Sequence, residues 1–84
     1  MLEDSKIRAF LALVQEGSFT RAARRLGVSQ PAVSAQIAAL EKAIGQPLFV
    51  RGPELSLTPT GEAFLGYAQR IQKAYDLANN AFFS

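Results

Sequence analysis

The chain has 84 residues, 49% of them hydrophobic and 19% charged, with nine Lys and Arg against seven Asp and Glu for a net charge of +2. That length supports a single folded domain rather than a large enzyme core, and the apolar content argues against a disordered tail. Cysteine and histidine are both absent, which excludes thiol chemistry, disulfides, histidine-based metal sites and Ser-His or Cys-His catalysis, while the acids are too scattered to suggest a carboxylate metal site or an acid–base pair.

Taken in chain order, Ser5 stands where it can cap a first helix, with Ile7, Phe10, Leu11 and Val14 as its apolar face and Gly17 as its end. Ser18, backed by apolar Phe19, caps a second helix whose inward face is Ala22, Ala23 and Leu26 and which Gly27 stops. Val28 is expected to anchor the turn. Ser29, Gln30 and Pro31 then open a third helix in a favourable order: a hydroxyl cap, a polar first residue, and a proline in the first turn, where its missing N–H does little harm. Val33, Ile37, Leu40 and Ile44 step by four, three and four, turning one stripe toward the core, and Gly45 closes the helix.

Off that stripe lie Gln30, Ser34, Ala35, Gln36 and Ala38. They are small or uncharged at the amino-terminal end, where a helix built only for solubility more often carries Glu and Lys. Such a tip can approach base edges closely, and Gln can form paired hydrogen bonds with adenine in the major groove. The plainer reading is a helical hairpin packed on a third helix.

Beyond Gly45, Leu48, Phe49 and Val50 suggest a short strand, Gly52, Pro53 and Glu54 a turn, and Leu55, Ser56 and Leu57 a returning strand. Together these make a wing. Arg51 stands at its base, placed either to meet phosphate or the minor groove or to form a surface salt bridge. Thr58 or Thr60 caps a last helix with Glu62 near its positive end. In it Phe64, Ala68, Ile71, Tyr75, Ala78 and Phe82 step by four, three, four, three and four. That heptad spacing predicts a narrow seam for a second copy, or packing on the first helix, and both can hold along one helix. A helix over residues 60–83 would be roughly 36 Å long and is expected to project from the globule.

Charge is concentrated on the central segment. Between residues 18 and 51, Arg21, Arg24, Arg25, Lys42 and Arg51 face the single acid Glu41, which leaves +4 there and −2 on the remainder. A basic patch of this kind binds phosphates with strong salt dependence, although solvated helix faces account equally for individual members such as Arg24 and Lys42. No apolar run reaches bilayer length, and the opening MLEDSK is acidic where a secretory signal is basic, so a cytoplasmic protein without membrane attachment is expected.

The run EGSFTRAARRLGVSQPAVSAQIAALEKAIGQPLFVR, followed by LSLTPTGEAFLGYA, resembles the amino-terminal winged helix-turn-helix domain of the LysR-type transcriptional regulators. The elements SFT-x-AA-x-x-L, VSQPAVS-x-QI, LE-x-x-IG-x-x-LF-x-R and LT-x-x-G agree in order and spacing over nearly the whole chain. The resemblance implies a mainly α fold, with a three-helix core and short β-hairpin wing over residues 1–58 and a linker and dimerisation helix over 59–84. It also implies a homodimer on double-stranded, A·T-rich DNA with dyad symmetry.

On this reading Ser18, Thr20, Arg21, Ser29 and Arg51 meet the DNA backbone, while Gln30, Pro31, Ser34, Ala35 and Gln36 face bases. Pro31 and Ala35 offer apolar contact to thymine methyls. Many family members carry a larger or basic residue where Ala35 stands, so DNA shape is expected to matter more here; wings are commonly basic where this one has Glu54, so the resemblance assigns no wing residue beyond Arg51. No cofactor is expected in this segment. A small-molecule effector is expected only for the second, larger domain of a complete regulator, and the terminal Phe82, Phe83 and Ser84 suggest a chain cut from a longer protein. Two other classes stand beside this one: a helical interaction module that never touches DNA, and a small enzyme, for which the chain offers no activated nucleophile.

Overall fold

In the computed structural model, which describes residues 1–83, four helices and one small sheet follow in order: α1 (Ser5–Glu16), α2 (Phe19–Leu26), α3 (Gln30–Ile44), β1 (Phe49–Val50), β2 (Ser56–Leu57) and α4 (Pro59–Phe83). Ser84, the last residue of the expected terminal segment, lies outside the described residues.

The helices begin where side-chain oxygens meet orphan backbone N–H groups. Ser18 Oγ accepts from the Arg21 N–H and Ser29 Oγ from the Ala32 N–H, each at 3.2 Å. For α1 the cap is Asp4 rather than the expected Ser5: Asp4 Oδ1 accepts from Lys6 and Ile7 at 2.9 and 3.2 Å, and Ser5 is the first helical residue. A carboxylate there also meets the positive end of the helix dipole. For α4 the cap is Thr58, whose Oγ1 accepts from the Gly61 N–H at 3.0 Å.

Gly27, at φ +70°, supplies the left-handed residue that turns the chain from α2 into α3. Its N–H donates to Arg24 O at 3.2 Å, and the Val28 N–H donates to Ala23 O at 3.0 Å. Val28 therefore anchors the turn through its backbone. The residue itself is 48% exposed.

Phe10 and Leu13 of α1, Val33 and Ile37 of α3, and Leu48 are the largest fully buried side chains, joined by Ala22, Ala23, Phe49 and Ala68. Each large one contributes about 1.5–3 kcal/mol through burial. Phe10 sits at the centre, 5.4 Å from the Phe49 ring and edge-on to Phe64 at 5.0 Å.

The strands are shorter than the alternation suggests. Phe49 pairs with Leu57 and Val50 with Ser56, antiparallel, leaving Leu48 and Leu55 outside the ladder. Leu48 is instead a plug: its side chain is fully buried, its N–H donates to Glu41 Oε2 at 2.7 Å, and its carbonyl accepts from the Thr58 N–H at 3.0 Å. Helix α4 then presses directly on it. A Cβ at Gly61 would lie 2.1 Å from Leu48 O, so only glycine permits that approach.

Phe64 packs on Phe10 in the middle of α1, while ahead of that helix Asn79 Oδ1 accepts from the Leu2 N–H at 2.7 Å and Asn79 Nδ2 donates to Leu2 O at 2.8 Å. Helix α4 thus runs antiparallel to α1 and its amino-terminal arm. At about 1.5 Å per residue its length is close to the 41 Å long axis of the molecule, and its contacts with both run from Phe64 to Asn79. The heptad seam divides accordingly. Phe64 and Ala68 belong to the chain's own core, Tyr75 and Ala78 are half-buried, and Ile71 and Phe82 are 39% and 81% exposed.

Candidate nucleic-acid interface

Because α3 buries Val33, Ile37 and Leu40, helical geometry turns Pro31, Ala35, Ala38 and Lys42 outward, and all four are exposed. The outer surface of this helix therefore presents two methyl groups, a proline ring and one lysine, with no acid among these four residues. Between its first turn and the wing runs a shallow cleft of about 360 Å³, lined among others by Ser18, Phe19, Gln30, Ser34, Arg51 and Pro53. Two segments far apart in sequence, the helix-turn-helix and the wing, thus share one concave surface.

Two hydroxyls at the starts of α2 and α3, that of Ser18 lining the cleft, are oriented by capping. Since Ser18 Oγ and Ser29 Oγ each accept a backbone N–H, each retains its own proton to donate outward, the polarity a phosphate oxygen requires. Thr20 Oγ1 donates to Gln30 Oε1 at 3.3 Å, a tie across the turn between α2 and α3.

The arginines are positioned by the protein itself. Arg51 stacks its guanidinium over the Phe19 ring at 4.9 Å and lies 3.9 Å from Glu41 Oε1, yet its side chain stays 55% exposed. Both expected roles are thus compatible: a surface ion pair holds the base of the wing, and N–H groups remain available to a phosphate. Arg21 donates from Nε at 3.2 Å and from Nη2 to Glu16 O, so part of its guanidinium caps the end of α1. Arg25 bonds Gln15 and lies 3.4 Å from Glu16 Oε2. Arg24 and Lys42 are exposed.

Of the residues singled out as base-facing, Gln30, Pro31, Ser34 and Ala35 share the tip and the cleft side of α3. Gln36 does not: it lines a groove of about 150 Å³ on the other flank, with Glu3, Ser5, Arg8 and Val28. At 100° per residue it stands roughly 120° round the helix from Gln30.

Glu41 was not singled out from the sequence as more than the one acid in a basic segment. One of its oxygens holds the Leu48 N–H and the other faces Arg51, so it ties α3 to the start of the wing and to the wing arginine. The spacing LE-x-x-IG-x-x-LF-x-R carried that signal, since it contains all three partners. Likewise LT-x-x-G contains both the α4 cap and the glycine pressed on Leu48.

The model of the bacterial regulatory helix-turn-helix proteins of the lysR family matches residues 5–62, well over half of the chain. The chain belongs to the LysR family. Its relatives include the HTH-type transcriptional regulator BudR of Klebsiella aerogenes, 48% identical over 75 residues that cover 86% of this chain and 51% of BudR. A probable RuBisCO transcriptional regulator of Cyanidioschyzon merolae is 49% identical over 67 residues, covering 79% of this chain and 22% of that protein. This LysR-family domain therefore spans between about a fifth and a half of the length of these curated relatives.

Among solved structures, the DNA-binding domain of BenM on catB site 1 DNA superposes with a TM-score of 0.88 at 37% identity, covering 95% of this chain and 91% of that one. The corresponding CbnR domain on DNA superposes at 0.86 and 34% identity, covering 95% and 93%. Four helices with a two-stranded wing are thus the winged helix-turn-helix fold of LysR-family DNA-binding domains, and the curated relatives are transcriptional regulators. Among the described residues no helix is long and apolar enough to cross a membrane.

Proposed function

We propose that this LysR-family domain binds double-stranded DNA sequence-specifically, inserting the tip of α3 into the major groove and laying the wing against the backbone. The observation that carries this reading is the open cleft shared by Gln30, Ser34 and Arg51, which includes the Ser18 hydroxyl and has no acid among its lining residues. Ser18, Ser29, Arg51 and the remaining donors of Arg21 fix register on phosphates. Pro31 and Ala35 meet thymine methyls, which favours A·T-rich sites. The work is binding rather than catalysis, carried out in the bacterial cytoplasm, and any small-molecule effector acts outside these residues.

Two copies pair through α4 and place their tips on the half-sites of a dyad. Support comes from the apolar surface that α4 leaves uncovered: Tyr67, Ile71, Leu77 and Phe82 are exposed along its length. Tyr67 and Leu77 lie off the seam read from the sequence. Replacing Ile71 with Glu is expected to convert a dimer to a monomer in sedimentation, while leaving the affinity of one head for a single half-site within about threefold.

Selection of duplexes from a random pool, with the mass in solution measured alongside, tests target and stoichiometry together. The expected result is a dimer that enriches a dyad. A monomer that enriches one half-site removes the pairing, and a dimer that enriches nothing removes base reading.

A further inference from the structure

We propose that Thr20 is a positioning residue that sets which base Gln30 selects, by turning the Gln30 amide so that it presents donors only. This rests on the reading of α3 as the base-reading helix.

The starting point is the hydrogen bond from Thr20 Oγ1 to Gln30 Oε1, 3.3 Å long and bridging α2 and α3 across the turn. A primary amide is planar, with its oxygen and nitrogen on opposite sides of the terminal carbon. Drawing Oε1 back toward α2 therefore turns Nε2 and its two hydrogens away from Thr20, toward the open side. Gln30 is exposed there, in the first turn of α3, and among the described residues its nitrogen makes no hydrogen bond.

Reading adenine through a glutamine requires both ends of the amide at once, Nε2 donating to N7 and Oε1 accepting from the N6 amino group. A Gln30 whose oxygen is held by Thr20 meets only half of that requirement. Guanine offers acceptors at both N7 and O6 and no donor that needs Oε1, so Nε2 alone can donate to either of them. The inference is that the position facing Gln30 prefers guanine over adenine.

It also changes the role of Thr20. A hydroxyl carries one proton, and the proton given to Gln30 is not available to a phosphate. Thr20 then contributes to base preference, whereas a phosphate contact would contribute equally on every sequence. At 3.3 Å the bond is long for O–H···O, so it biases the amide rather than locking it, and the expected preference is about three- to tenfold.

The test measures affinity of the whole chain for four otherwise identical duplexes that differ only at the pair facing Gln30, that position being found by its loss of discrimination in Gln30→Ala. The wild type should favour guanine over adenine by that three- to tenfold factor. Thr20→Val, which keeps the shape and removes the hydroxyl, should abolish or reverse the ratio, and Thr20→Ser should restore it. A helix merely loosened by the substitution would weaken all four duplexes together and leave the ratio unchanged.

Adenine preference in the wild type overturns the proposal, because it means that Oε1 faces the base. A uniform loss in Thr20→Val with an unchanged ratio also overturns it, because the hydroxyl then has no part in base preference. Specific binding with either result leaves the DNA-reading function standing, whereas absence of specific binding to any duplex removes both.

Discussion

The two faces of α3 carry different kinds of constraint. The inner face, Val33, Ile37 and Leu40, is buried against α1, α2 and the wing, so its residues answer to the protein's own packing. The outer face, Pro31, Ala35, Ala38 and Lys42, is exposed, and apart from the fit of Pro31 to the first turn it answers little to packing among the described residues. The difference separates stability from function along a single helix: inward changes should unfold the domain, and outward changes should alter only what it binds.

The largest effect is expected from Ile37→Ala. This side chain is fully buried, and its truncation should cost about 2–5 kcal/mol in denaturant unfolding. DNA affinity should fall only in proportion to the unfolded fraction. Gly61→Ala probes the scaffold from the opposite side, since the added methyl meets the Leu48 carbonyl. A loss of about 1–3 kcal/mol in the same assay is expected, despite the better helix propensity of alanine.

Outer-face changes should reverse the pattern. Ala35→Glu places a negative charge where phosphates and base edges would lie, and an affinity loss of more than about tenfold is expected, with stability within about 0.5 kcal/mol of wild type. The smallest expected change is from Arg51→Ala: a several-fold loss on all sequences, with the slope of log affinity against log salt reduced by about one. If Ala35→Glu unfolds the domain, or Ile37→Ala weakens DNA binding without unfolding it, the separation between the two faces is lost.

Most of the architecture was legible because it rests on local rules. The stripe of Val33, Ile37, Leu40 and Ile44, the caps Ser18 and Ser29, and the glycine ends of α1, α2 and α3 are set by neighbours within a turn of helix. What was not legible depends on contacts between elements. Asp4 and Ser5 are both good caps, and only the path of the chain into α1 chooses Asp4. Leu48 reads as a strand residue by composition, but the Glu41 carboxylate takes its N–H and the core takes its side chain.

At the site the same division holds. That Gln30 and Ser34 stand off the buried stripe follows from helical periodicity. That Gln36 turns toward the start of α1 requires knowing which neighbour occupies each flank. The joint hold of Phe19 and Glu41 on Arg51, and of Thr20 on Gln30, are pairings across the fold that no spacing within one element encodes. The heptad seam of α4 shows the limit of periodicity most plainly, since one repeat serves the chain's own core at Phe64 and Ala68 and leaves Ile71 and Phe82 uncovered.

Titration of the isotope-labelled chain with a selected duplex, followed by amide and side-chain NMR shifts, locates the DNA-contacting surface directly. Shifts concentrated on Ser29, Gln30, Ser34 and Ala35, with Arg51 following and the middle of α4 unmoved, are the expected result. Shifts confined to α4, with the tip of α3 unchanged at saturation, would show that this helix does not read DNA.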